Sequence, residues 1–205
     1  MDAKELMAPF LESFSKEIEM YAKYDQFYDP WEFYTERPLL GLFVNGIIRG
    51  NQDWIAIQEY RVKRLNGYGR CDLYFTDSKT AILTEAKFKY TNYGVLEWNL
   101  GDFENYNNNI FEQLITYDES NEKDGIEKHF SLSLIFHAFS TANSEYFYTD
   151  IENKNTYEFR KDPNLGMLMQ GPEYFYKIIR PSRDTDSDRL SALEVIGQLR
   201  ELKKN

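Results

Sequence analysis

Apolar positions change their period along the chain, and the changes divide it into elements. Met7, Phe10, Leu11, Phe14, Ile18 and Tyr21 recur at helical spacing. This predicts an amphipathic helix over 9–24, with Pro9 in an early turn where a missing N–H is tolerated. A YDPW turn ends it. A second helix is predicted after Thr35 as N-cap, with Glu36 at its entrance and Pro38 in its first turn. Leu39, Leu40, Phe43, Val44, Ile47 and Ile48 form its stripe, up to Gly50. The period then shortens to two: AIQEYRV at 56–62, an NGYG turn at 66–69, CDLYF at 71–75, a DSK turn and AILTEAKF at 81–88 read as a three-stranded meander. NIFEQLITY at 109–117 reads as helix, and HFSLSLIFHAF at 129–139 as a mostly buried strand of the same sheet. TYEFRK and YFYKIIRP are candidate strands, and Leu190, Leu193, Val195, Ile196, Leu199 and Leu202 predict an amphipathic terminal helix over 188–203. The order of elements predicts an α/β fold, a mixed central sheet flanked by helices. A chain of 205 residues suits one domain over 1–205, with 1–32 as an N-terminal helical extension and 141–205 as C-terminal strands and helix of unassigned role.

Composition narrows the function. Aromatic residues make up 17% of the chain, too many core formers for a disordered segment. With 24 Lys and Arg against 34 Asp and Glu, the net charge of −10 excludes a polybasic binder, so any nucleic acid must be held locally. Residues 59–90 are the exception: seven bases (Arg61, Lys63, Arg64, Arg70, Lys79, Lys87, Lys89) face four acids (Glu59, Asp72, Asp77, Glu85). A positive patch on an acidic body suits a phosphate-gripping cleft. The single cysteine, Cys71, excludes a disulfide framework, a four-cysteine zinc site and a four-cysteine iron–sulfur cluster within the chain, and points to a reducing, cytoplasmic setting. The opening MDAKELMAPFLESF has no apolar signal core, and no long apolar run follows, so neither secretion nor a membrane is expected.

The strand AILTEAKF carries the candidate chemistry. Alternation puts Ala81, Leu83, Glu85 and Lys87 on one face. In the preceding strand Cys71, Leu73 and Phe75 form the apolar set, which turns Asp72 toward the side of Glu85 if the strands pair as a hairpin. Two carboxylates and a lysine then converge at the sheet edge. Carboxylate oxygens are the hard ligands that Mg²⁺ or Mn²⁺ prefers, and the Ala86 carbonyl can complete a partly hydrated site.

Asp72, twelve intervening residues and then Glu85-Ala86-Lys87 resemble the D…(D/E)-x-K signature of the PD-(D/E)XK nuclease superfamily, the restriction-endonuclease-like fold. GRCDLYF resembles the family's Gly-x-x-Asp strand entry, IQEYRV the strand that opens its meander, and Glu36 its first acidic motif. Gln113 and Tyr117, in QLITY, match the Gln-x-x-x-Tyr helix motif of the RecB-like branch. The resemblance covers about residues 33–140. It implies a metal-dependent nuclease acting on DNA, in a defence, repair or mobile-element context. Asp72 and Glu85 would be metal ligands, Lys87 the catalytic lysine, and Glu36 a further ligand or water holder. Gln113 and Tyr117 would reach the substrate strand or brace the lysine, with Arg70 among the phosphate-gripping bases. The literal Pro-Asp pair is replaced by Cys71-Asp72. The alternative is a catalytically inactive module of the same fold that binds protein or nucleic acid.

Other residues read more plainly. Glu59 is a rival acid that could lie on either sheet face. His129 and His137 are expected to be structural, and Gly67 and Gly69 to make a turn. The terminal helix is expected to pack on its own body or to mediate a homodimer.

Overall fold

The computed structural model describes residues 2–24, 36–64, 67–91, 100–115, 125–141, 167–168, 170–179 and 190–202. The Asp2 carboxylate accepts the Lys4 N–H at 2.7 Å and so caps α1 (Ala3–Tyr24), which therefore starts ahead of the expected residue 9. Pro9 lies inside the helix rather than in its first turn. α2 (Glu36–Gly50) has the expected span; Thr35 and the YDPW turn fall outside the described residues. The two helices cross closely, because a Cβ on Gly46 would sit 2.8 Å from the Phe14 backbone nitrogen. Phe14 meets Phe43 edge-on at 5.5 Å, and Arg49 pairs with the buried Glu17.

β1 (Ile55–Arg64), β2 (Gly67–Thr76) and β3 (Thr80–Thr91) form the antiparallel meander. Gly67 and Gly69 belong to β2 itself rather than to a turn before it. The DSK turn is held by Asp77, whose carboxylate accepts the N–H groups of Lys79 and Thr80 at 3.0 and 2.7 Å. α3 (Leu100–Ile115) lies between β3 and the parallel β4 (Lys128–Thr141) in sequence. β5 (Tyr174–Ile179) and β6 (Leu190–Glu201) are antiparallel, giving one mixed sheet in the order β1-β2-β3-β4-β6-β5. TYEFRK lies outside the described residues.

The sheet buries both faces. α1 and α2 cover one, closing a core of Phe10, Phe14, Phe43, Leu73, Phe75, Leu134, Phe136 and Val195 among others. On the opposite face Phe103, Ile110, Phe111 and Leu114 of α3 pack with Ile135, Ile196 and Tyr174. The molecule is thus mixed α/β, a six-stranded mixed sheet flanked by helices. Among the described residues no helix is long and apolar enough to cross a membrane.

Two expected elements differ. α3 starts at Leu100 rather than 109, because the buried Asn107 interrupts its apolar stripe and donates to Gln198 Oε1 at 2.5 Å. Residues 190–201 form β6, not the terminal helix expected over 188–203. Leu193, Val195 and Leu199 enter one core and Ile196 the other. A strand apolar on both faces imitates helical spacing. The homodimer contact drawn for that helix loses its basis, since β6 lies between β4 and β5.

Candidate functional site

β1 and β2 change face together. Ala56 packs toward the α1–α2 core, whereas Tyr60 and Val62, of the same parity, join the α3 core. The switch falls at Glu59, whose φ of 52° is left-handed and uncommon for a non-glycine residue. In β2, Leu73 and Phe75 face α1 and α2, but Cys71 faces α3. Glu59 and Asp72 stand opposite one another at this corner, between the pairs Gln58–Leu73 and Tyr60–Cys71. The expected grouping of Cys71 with Leu73 and Phe75 fails because uniform alternation does not survive the corner.

The corner opens one edge of β3. Pairs between β2 and β3 run from Thr76–Ala81 to Leu73–Thr84. Past that point a side chain takes over as acceptor: Asp72 Oδ2 accepts the Ala86 N–H at 2.8 Å, and the Phe88 backbone N–H favours the charged form of the Glu36 carboxyl. Lys87 Nζ donates to the Ala86 carbonyl at 2.9 Å and lies 3.9 Å from Glu36 Oε2. Asp72, Glu36, Ala86 and Lys87 therefore meet, brought together from β2, α2 and β3.

Burial pushes the Glu36 carboxyl above its ordinary range; Lys87 opposes this and the nearby Asp72 adds to it. Glu85 is buried beside this edge, across from Ser133 of β4. Burial, reinforced by the Glu85 carboxylate, raises the Cys71 thiol to about 12, which keeps it protonated and inert as a nucleophile.

Two carboxylates, Asp72 and Glu36, and the Ala86 carbonyl at one strand edge, with Glu85 buried on the same strand, fit a hard divalent cation in donor chemistry, and a cation would relieve the crowding of Asp72 on Glu36. Their spacing is looser: among the described residues no three His, Cys, Asp or Glu side chains gather closely enough to hold a metal ion. The Lys87 ammonium brings positive charge directly to the edge.

The other sequence candidates divide. Arg70 is exposed, with Nη1 3.7 Å from Glu59 Oε2. Gln113 lies on α3, but its side chain, and all of Tyr117, fall outside the described residues. His137 is buried against Glu194 at 3.0 Å between β4 and β6.

Sequence reasoning missed Arg37, which follows Glu36 in the first turn of α2 and sets Nη2 3.8 Å from Glu59 Oε1. It also missed a polar row beneath α3, where Glu85, Ser133 and Gln198 share one register across β3, β4 and β6. Asn107 and Arg200 both donate to Gln198 Oε1. Only the cross-strand register could have assembled that row.

Comparison with protein-family models, with curated proteins and with solved structures gives no match to this chain.

Proposed function

We propose that the chain is a Mg²⁺- or Mn²⁺-dependent nuclease that hydrolyses phosphodiester bonds in DNA, built on a restriction-endonuclease-like PD-(D/E)XK fold of the RecB-like branch and acting in the cytoplasm. One observation carries the reading: acids from β2 and α2 meet the Ala86 carbonyl and the Lys87 ammonium at the one stretch of β3 that β2 leaves unpaired. The meander followed by a helix and a parallel strand agrees with that fold in order. Asp72, Glu85, Glu36 and the Ala86 carbonyl would hold the ion, which, when bound, polarises the phosphoryl oxygen and lowers the pKa of water. The chain's own part is to orient. Asp72 is fixed by the Ala86 N–H, so its carboxylate is already oriented. Lys87, released from the Ala86 carbonyl, would steer a water and the phosphate.

The test is incubation of plasmid and oligonucleotide DNA with Mg²⁺, Mn²⁺ or EDTA. Metal-dependent cleavage is expected, lost in Asp72→Asn and Glu85→Gln; Lys87→Ala should lose about 10²–10⁴ in rate yet keep metal affinity by calorimetry. Wild-type rates in either carboxylate variant would move the site elsewhere. The loose spacing of the carboxylates favours one second reading, a binding module of this fold without hydrolysis. That reading predicts DNA binding with no cleavage in any metal.

A further inference from the structure

Glu59 is a surface carboxylate in a backbone conformation that L residues rarely adopt. Strain of this kind collects at ligand clamps, where the surrounding structure holds it in place. Its two oxygens are shared between two guanidinium groups, Arg37 Nη2 on Oε1 at 3.8 Å and Arg70 Nη1 on Oε2 at 3.7 Å. These are ion-pair distances longer than a hydrogen bond, between exposed side chains, and such pairs add little stability. Arg37 adjoins Glu36, while Arg70 lies two residues before Asp72, with Glu59 and Asp72 facing each other where the ladder skips a pair. Both arginines therefore border the edge of β3 where the candidate site lies.

A carboxylate straddled by two arginines, one on each oxygen, presents the charge and the paired oxygens of a phosphodiester. Guanidinium forks engage carboxylate and phosphodiester oxygens alike through parallel N–H donors, and at 3.8 and 3.7 Å Glu59 itself makes no hydrogen bond to these forks, so an incoming phosphodiester can offer them hydrogen bonds that Glu59 does not. We propose that Arg37 and Arg70 form a phosphate clamp for a nucleic-acid backbone, with Glu59 as the internal anion that the incoming phosphodiester displaces. This deepens the nuclease reading, since the clamp would seat a backbone phosphate beside Asp72 and Lys87. It assigns Arg37 a binding role and makes Glu59 a competitor of the ligand rather than a member of the site.

The experiment measures binding of a labelled DNA duplex of about 20 base pairs in EDTA over a salt series, where each phosphate contact contributes about 0.9 to the slope. Arg37→Ala/Arg70→Ala is expected to weaken binding roughly tenfold and to flatten the slope by about one to two. Glu59→Gln, which keeps the volume and removes the charge, is expected to tighten binding roughly threefold or more. The arginines are exposed, and unchanged melting temperatures would confirm that the variants fold. Wild-type affinity in the double arginine variant, or weaker binding in Glu59→Gln, would overturn the clamp. Inorganic phosphate at matched ionic strength should compete poorly; full competition at millimolar levels would identify a free phosphate as the ligand and also overturn it. Cleavage in Mg²⁺ is scored separately. Clamp-dependent binding without cleavage sinks the hydrolase reading alone, and cleavage with arginine-independent binding sinks the clamp alone.

Discussion

Glu36 is the residue on which the chemistry of the edge can be weighed most directly. Its carboxyl titrates above the ordinary 4.5 because burial outweighs the opposing Lys87. Proton and metal compete for this carboxylate, so Mn²⁺ affinity by calorimetry should weaken as pH drops through a value above 4.5, and Glu36→Gln should lose that limb along with roughly tenfold or more of the cleavage rate. Stability runs the other way. The folded state binds this proton more readily than the unfolded one, so wild type should gain stability over Glu36→Gln as pH falls through the raised value toward 4.5. Calorimetric titrations over pH and melting temperatures without metal, on the two proteins, check both signs. A first-turn acid serving only the helix dipole predicts a stability change of about 0.3–1 kcal/mol and no change in rate. The types and spacing of Asp72, Glu85 and Lys87 were visible in the sequence. The corner at Glu59 and Asp72 was not, because it coincides with a left-handed φ at Glu59 that strict alternation does not signal. Arg37 was invisible for the same reason: its partner Glu59 is reached only through the fold.

At the scale of elements, β6 shows what periodicity can and cannot specify. The meander was legible because turn residues bound each strand; β6, like its neighbours, is buried on both faces, and its apolar spacing imitates a helix. Gly197 was the available signal, since glycine weakens a helix interior. In the sheet it stands opposite Phe175 of β5, and a Cβ there would overlap the Phe175 ring and lie 2.9 Å from the Ser133 carbonyl oxygen. Gly197→Ala is therefore expected to cost about 1–3 kcal/mol through overpacking, whereas in a helix the same change would stabilise by about 1 kcal/mol. A lower denaturant midpoint at unchanged slope is the expected result, with partial recovery on adding Phe175→Leu. α3 offers the complementary case. Its first half was missed because a buried asparagine took an apolar position, and that asparagine makes sense only against Gln198 of β6.

Across the whole molecule the ends of the chain depend on each other. The Ala3 N–H bonds the Pro172 carbonyl at 2.7 Å, and Lys177 of β5 pairs with Glu12 of α1 at 2.6 Å. The first helix and the last two strands thus close one core around the meander, although the sequence suggested an extension at one end and an unassigned tail at the other. Because β6 pairs along the length of β4, removing it leaves that strand's ladder unpaired on one edge and takes buried side chains out of both cores. Leu193, Val195, Ile196 and Leu199 are all buried, and each contributes about 1.5–3 kcal/mol of apolar burial. Their sum, about 6–12 kcal/mol, is comparable to the net stability of about 5–15 kcal/mol typical of a domain. A chain ending at Thr141 should therefore lose its cooperative melt and its slow-exchanging amides, including those of β1–β3, which the truncation leaves untouched in sequence. Restoring residues 142–205 as a separate segment should recover the transition only if it docks against β4. A truncated chain that melted cooperatively near the wild-type midpoint would mean that the first 141 residues hold a self-sufficient core, and that β5 and β6 are appended to it.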